Sequence, residues 1–176
     1  MSQSERVLLA AMRVLTRGAS QLTVRNVAEE AQCSTTGVYT YFGSKQGLVD
    51  ALYIRAAASF GRALESADGD LLATGRAYRR WALAYPSQYR LVFGGAVADF
   101  IPSEEALLVA AESFEHLVSL IGERDQAMHV WATVHGYVSL ELVGMAAPDA
   151  KEAEKVYEQG LWAIGEWLGL TEWHKG

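Results

Sequence analysis

Apolar residues recur with helical period along almost the whole chain. Val7, Leu8, Ala11, Met12 and Leu15 fall on one face of a segment from about Ser4 to Arg17, which Gly18 can close. Val24, Val27, Ala28 and Ala31 stand at i, i+3, i+4 and i+7, behind a Thr23 able to cap the helix they form. Gln32-Cys33 interrupts that pattern, and Ser34 can cap a second short helix from Thr35 to about Phe42-Gly43. Ser44 can cap a longer one from Lys45 to about Glu65, with Leu48, Leu52 and Ile54 to Ala56 packing. The remaining pattern predicts helices over 70–85, 87–93, 103–121, 125–145 and 149–168, separated by a break at 67–69, a loop over 94–102, Gly122 and Ala147-Pro148. That makes nine helices. No alternation of strand type bounded by turn residues is found, so the fold class expected is all-α.

The second and third helices carry the most specific signal. Two short helices joined by about three or four residues, the second bearing hydrogen-bonding side chains, suit a helix that lies in a DNA major groove. Thr35, Thr36, Gly37 and Tyr39 cluster on the side away from Val38 and Phe42, which read as core; for Tyr39 and Thr40, ordinary surface and DNA contact are both open. For Tyr41, packing and DNA contact are both open. Thr hydroxyls can reach base edges or phosphates, and Thr methyls can touch the thymine methyl. Gly37 lets the backbone come close to a duplex. Tyrosine phenols can donate to phosphate oxygens. Lys45 in a first helical turn makes a phosphate site, and Thr23 and Arg25 suit the opposite backbone. Residues 35–41 contain no Arg, Asn or Gln, so bidentate reading of guanine or adenine is not expected from them. Specificity then rests partly on methyl contacts, water and DNA shape.

The segment Thr23-Val24-Arg25, Val27-Ala28, Ala31, Ser34-Thr35-Thr36-Gly37-Val38-Tyr39, Tyr41-Phe42, Ser44-Lys45 and Leu48 resembles the DNA-binding domain of the TetR/AcrR family of bacterial transcription regulators. The likeness reaches back through Val7 to Ala11 and covers roughly residues 4–60. Gly47 departs from it, standing where the family has a stronger helix former, and predicts a weaker start to the fourth helix. Further on, Trp131, His135 and Gly136, with 85–93, resemble a C-terminal domain of that family named for its Trp-His-Gly signature. The resemblance implies DNA contact by Thr23, Arg25, Ser34, Thr35, Thr36, Gly37, Tyr39, Thr40, Tyr41 and Lys45. It also implies a helix-turn-helix domain over 1–47, and an effector-binding and dimerisation domain over 48–176 with the fourth helix as the lever between them. Two helices from each subunit would form the dimer interface. For those the chain offers Val134, Val138, Leu142, Val156, Leu161, Ile164 and Leu168, with Trp162 and Trp167, and Gly144, Gly160 and Gly165 for close approach. A two-fold dimer would set its recognition helices about one DNA turn, ~34–36 Å, or somewhat more apart.

Composition adjusts this picture in three places. The 176-residue chain is 51% hydrophobic and carries net charge −6, which by itself speaks against DNA. Its distribution speaks for it: residues 1–47 hold Arg6, Arg13, Arg17, Arg25 and Lys45 against Glu5, Glu29 and Glu30, a net +2 that leaves −8 for the rest. One cysteine, Cys33, allows no intrachain disulfide. The N-terminal apolar stretch is interrupted by Arg13 and reads as an amphipathic helix, not a signal peptide. No apolar run approaches the ~20 residues of a membrane span, so a cytoplasmic protein without a membrane partner is expected.

The second half is rich in aromatics. Tyr78, Trp81, Tyr85, Tyr89, Phe93, Phe114 and Trp131, with Met128 and His135, are candidates to line an apolar effector cavity; a plain helical core explains the same residues. His135 reads as a core histidine or as a polar group in that cavity. His116, His129 and His135 lack metal-ligand spacing. There is no nucleophile–base pair or phosphate loop, so neither metal, cofactor nor catalysis is expected. The expected function is a repressor released from a palindromic operator by a small apolar or aromatic ligand. A constitutive DNA-binding regulator, or a small helical enzyme or carrier, are the alternatives.

Overall fold

The computed structural model describes residues 1–67 and 69–170; Asp68, centre of the expected break at 67–69, and residues 171–176 lie outside the described residues. Among the described residues all regular structure is helical. In chain order it comprises α1 (Gln3–Thr16), α2 (Val24–Glu30), α3 (Thr35–Phe42), α4 (Lys45–Glu65), α5 (Leu71–Ala84), α6 (Pro86–Phe93), α7 (Glu104–Ile121), α8 (Arg124–Leu142) and α9 (Ala150–Trp167). A three-residue 3-10 turn, Ala19–Gln21, follows α1.

Helix ends follow their capping chemistry. Ser2, Thr23, Ser34 and Asp149 each accept from a backbone N–H three residues on, at 2.9–3.1 Å. Pro86 stands in the first turn of α6, where its missing N–H costs nothing. At the end of α2, Gln32 N–H donates to the Glu29 carbonyl and Cys33 N–H to the Ala28 carbonyl. This closure puts the C′ residue in the left-handed region, usually a glycine's place. Here Gln32 takes it, at φ 55°.

Backbone proximity divides the chain into two compact units, Met1–Ser59 with Tyr85–Ala111, and Phe60–Ala84 with Glu112–Gly176. The boundary expected after residue 47 lies inside α4, and the division falls later in that same helix. The reason is that α4 is one uninterrupted helix serving two cores. Leu48, Val49, Leu52, Tyr53 and Ala57 are buried in the first, with Val7, Val14, Leu15, Val27 and Val38. Phe60 and Leu64 are buried in the second unit, whose core also includes Tyr78, Trp81, Val130, Val134 and Tyr157. Helical period alone shows that a turn is buried, not in which core.

The first unit includes α6 and the start of α7. Asp50 accepts from the Ser103 N–H (2.8 Å) and hydroxyl (2.6 Å), and Gln46 donates to the Ile101 carbonyl at 2.9 Å. The loop before α7 is thereby fixed to the first turns of α4.

Gly47 is explained by space. A β-carbon there would stand 2.2 Å from the Phe42 carbonyl oxygen. Its bare backbone lets the end of α3 fold tightly onto the start of α4, where Ser44 caps Gly47 N–H at 3.0 Å. Gly47→Ala is therefore expected to destabilise the protein by about 1–3 kcal/mol through overpacking, although alanine is the better helix former. Urea denaturation measures this, and a stabilised variant would contradict it.

Candidate functional site

Helix α3 turns Val38 fully inward and half-buries Phe42. Thr35, Thr36, Tyr39, Thr40 and Tyr41 are exposed on its other sides. The Tyr41 side chain is not packed into the core: it is 47% exposed, and Tyr39 is 48% exposed. Thr40 donates back to the Thr36 carbonyl at 2.9 Å. Thr23 and Ser34 use an oxygen lone pair as helix caps, which leaves each hydroxyl proton able to donate elsewhere. A β-carbon on Gly37 would meet only ordinary contacts, the nearest being Ser34 Oγ at 3.6 Å. The fold therefore gives no reason for a glycine in this helix.

The head's cations divide into two groups. Arg13 (2.6 Å) and Arg17 both clamp Glu30, and their hydrogen bonds hold its carboxyl below the usual carboxylate range. Arg55 pairs with Glu5 at 2.7 Å. Arg25 and Lys45 are exposed and have no ion-pair partner among the described residues. Arg6 has no ion pair among the described residues either but donates to Gln3 Oε1 at 3.2 Å and to the Ala31 carbonyl at 3.4 Å, which leaves Arg25 and Lys45 as the more uncommitted cations.

In the second unit Leu72, Gly75, Tyr78, Trp131, Val134 and Leu161 are among the uncharged residues around an apolar cavity of about 30 Å³. That is room for little more than one water-sized sphere. The Trp131 ring makes edge-on contacts with Phe60 (5.9 Å), Tyr78 (5.6 Å) and Phe114 (5.8 Å). The Tyr78 hydroxyl and His135 Nδ1 are 2.9 Å apart. Of the expected cavity residues, Tyr78 and Trp131 line it, while Trp81, Phe114 and His135 belong to the same unit around it. Tyr85, Tyr89 and Phe93 belong to the first unit, where Tyr89 and Phe93 pack on each other at 5.1 Å. Met128 is exposed, because the buried stripe of α8 runs through Ala127, Val130, Val134 and Val138 and leaves 128 off its face.

Ser113 escaped the sequence reading, and His116 was weighed there only as a metal ligand. Ser113 Oγ and His116 Nε2 are buried and have no hydrogen-bond partner among the described residues. The signal was present: Ser113 interrupts the stripe Ala106, Ala110, Ser113, Leu117 on α7. Arg79 was missed too. It makes two 2.8 Å hydrogen bonds to Glu141 and lies over the Tyr157 ring at 5.6 Å, and Tyr157 donates to the Gly75 carbonyl at 2.6 Å. These contacts join α5, α8 and α9.

Burial pushes the His135 imidazole below its ordinary pKa. The unfolded chain then binds the proton more readily, so this contribution to stability is full above about pH 6.5 and is lost as pH falls below it. His135→Gln should show a smaller loss of Tm than the parent between pH 7.5 and 5.5. An identical loss would contradict the shift.

Among the described residues no group of three His, Cys, Asp or Glu could hold a metal ion, and no helix is long and apolar enough to cross a membrane.

Comparison with known proteins agrees with this arrangement. Residues 7–52 match the family model of bacterial regulatory proteins, tetR family, and residues 71–164 match the tetracyclin repressor-like, C-terminal domain. An uncharacterized HTH-type transcriptional regulator of Bacillus subtilis (strain 168), YvkB, is 38% identical over 69 residues, which are 39% of this chain and 36% of YvkB. The match thus spans about a third of that relative's length. Among solved structures, a regulatory protein, SCO4313, superposes with a TM-score of 0.80 at 24% identity, covering 92% of this chain and 94% of its own. The multidrug binding protein EbrR, complexed with imidazole, does so with a TM-score of 0.67 at 21% identity, covering 91% and 95%. With a helix-turn-helix head and a C-terminal helical region that both match, this chain belongs to the TetR family of bacterial transcription regulators.

Proposed function

We propose that the protein is a cytoplasmic repressor that binds a palindromic operator as a homodimer and leaves it when a small apolar or aromatic effector enters the second unit. It acts by binding, not catalysis. The observation that carries this reading is the bare, outward face of α3, with a glycine that the fold does not need. Thr35, Thr36 and the Gly37 backbone meet base edges. Tyr39, Thr40 and Tyr41 reach flanking phosphates from α3, and Ser34 does so from its cap. Arg25 and Lys45 neutralise phosphate, and Thr23 donates to it from the start of α2.

Dimerisation through α8 and α9 is supported by what those helices leave uncovered. Leu140 on α8, Val143 and Met145 just after its end, and Trp167 on α9 are all exposed, and a β-carbon on Gly136 would meet nothing within 4 Å. Val134, Val138 and Leu161, offered by the sequence for this interface, are instead buried in their own unit. Gly160 makes room for the Tyr137 ring, which an added β-carbon would approach to 2.4 Å.

EbrR is named as a multidrug binding protein, and an effector site in this chain is the corresponding reading. Pockets for drug-sized ligands measure roughly 300–1,000 Å³, about tenfold or more above the present cavity. Entry of an effector therefore displaces α5, α8 or α9, and α4, whose residues serve both cores, carries the change. Coupling of this kind is worth about 1–3 kcal/mol.

Selection from a random duplex library tests the reading. It should enrich a palindrome with half-site centres about one helical turn or slightly more apart, and a small-molecule extract should release the protein from it. Failure to enrich any sequence would refute operator recognition. Enrichment without release would leave a constitutive regulator.

A further inference from the structure

On the ligand-responsive reading above, we propose that the effector is an uncharged aromatic molecule carrying a hydroxyl group, and that Ser113 and His116 on α7 receive that hydroxyl.

Charge selects the class first. Every residue lining the cavity is uncharged. Three arginines of the same unit are already matched, Arg76 with Glu158 (2.7 Å), Arg79 with Glu141 (2.8 Å) and Arg124 with Glu115 (2.8 Å), and Arg62 and Arg80 are exposed. His135, its pKa lowered by burial, is neutral at neutral pH. An anionic or cationic effector buried here would meet no opposite charge, and a buried unpaired charge is strongly disfavoured.

The unpartnered atoms then select the functional group. Ser113 is 2% exposed, and its Oγ and His116 Nε2 lack hydrogen-bond partners among the described residues. Three residues apart on one helix, the two side chains are neighbours. Neither lines the small cavity itself, but Leu117, one turn beyond Ser113 on the same face of α7, does, and Phe114 beside Ser113 contacts Trp131, so a cavity widened along α7 reaches the serine first. Gly61 lets the α4 backbone come close to the serine, as a β-carbon there would lie 3.4 Å from Ser113 Oγ. A hydroxyl can accept from the serine while donating to the imidazole nitrogen, so one group satisfies both. With His116 protonated at Nδ1, a carbonyl, which only accepts, would satisfy the serine alone, and a hydrocarbon leaves both atoms as they are. The aromatic body lies against Trp131 and Tyr78.

The test compares four probes of one shape at pH 7.5: 4-ethylphenol, ethylbenzene, 4-ethylbenzoate and 4-ethylbenzylammonium. Binding is read by calorimetry and by the shift in Tm. The phenol should raise Tm and the two ions should not. Ethylbenzene should bind roughly tenfold to a hundredfold more weakly than the phenol. Ser113→Ala and His116→Phe should weaken the phenol by a similar factor. Each should also raise the Tm of the ligand-free protein by about 2–4 °C, because a buried orphan atom is gone. His116→Gln, which keeps a hydrogen-bonding group, should retain phenol binding. Equal or stronger binding of either ion, unchanged phenol binding in both polar-to-apolar variants, or no binding of the phenol would each overturn the proposal. The extract-release assay separates the two levels. Release by extract without a response to 4-ethylphenol overturns the hydroxyl assignment and leaves a ligand-responsive regulator. No release by extract removes both.

Discussion

Gly37→Ala is expected to fold, to melt no lower than the parent, and to bind operator duplex at least about tenfold more weakly. The first two outcomes follow from space and propensity. The new methyl would meet only ordinary contacts, at 3.6 Å from Ser34 Oγ and 3.9 Å from Cys33 Sγ. Alanine favours a helix over glycine by up to about 1 kcal/mol. The cap is kept, because Gly37 contributes only its backbone N–H to Ser34. The third outcome follows from where the methyl points. It enters the surface between Thr36 and Tyr39 that the helix would press into the groove. A dimer places two such methyls against DNA, so about 0.7 kcal/mol at each head makes a tenfold loss. Thermal melting and fluorescence anisotropy on the same preparation check both halves. A variant that binds as tightly as the parent would mean the α3 backbone does not approach the duplex.

The largest effect on stability is expected at Arg79. Its side chain is 13% exposed and that of Glu141 11%, and two 2.8 Å hydrogen bonds join them. Arg79→Ala leaves a carboxylate buried without its partner, which costs about 3–5 kcal/mol, a large share of the ~5–15 kcal/mol typical of a folded protein. Removing both charges is a different experiment. Arg79→Met with Glu141→Leu leaves no orphan charge and should recover most of the loss. The solvent-exposed pair Arg124–Glu115, at 62% and 53%, should show little effect in the same series. Urea denaturation of the single and double variants checks this. A single variant as stable as the parent would show that the pair is solvated in solution.

The head was legible because its determinants are local. Caps, turn residues and the apolar spacing of α1 to α3 act within a few residues of themselves, and Thr23, Ser34 and Ser44 all cap as their positions imply. Gly47 was misleading for the opposite reason. Its role depends on the Phe42 carbonyl in the preceding helix, and propensity reports only on its own helix. In the second half, period identified buried faces but not their partners. Tyr89 and Phe93 share the aromatic character of Tyr78 and Trp131, yet they pack with the first unit. Val134 and Val138 looked available for a partner subunit and are covered by their own. Ser113 and Arg79 were passed over because a polar residue within a helix reads as solvent-facing until its surroundings are known.

Salt dependence of operator binding tests the central claim most directly. Arg25 and Lys45 on each of two heads give four cations to place on phosphates, so log K against log salt should fall with a slope of about −3.6 or steeper. Combined Arg25→Ala and Lys45→Ala substitutions should flatten that slope by about the same amount while leaving the fold and the dimer intact. A slope near zero in the parent, or one that the double variant leaves unchanged, would contradict the placement of the α2–α3 surface on DNA.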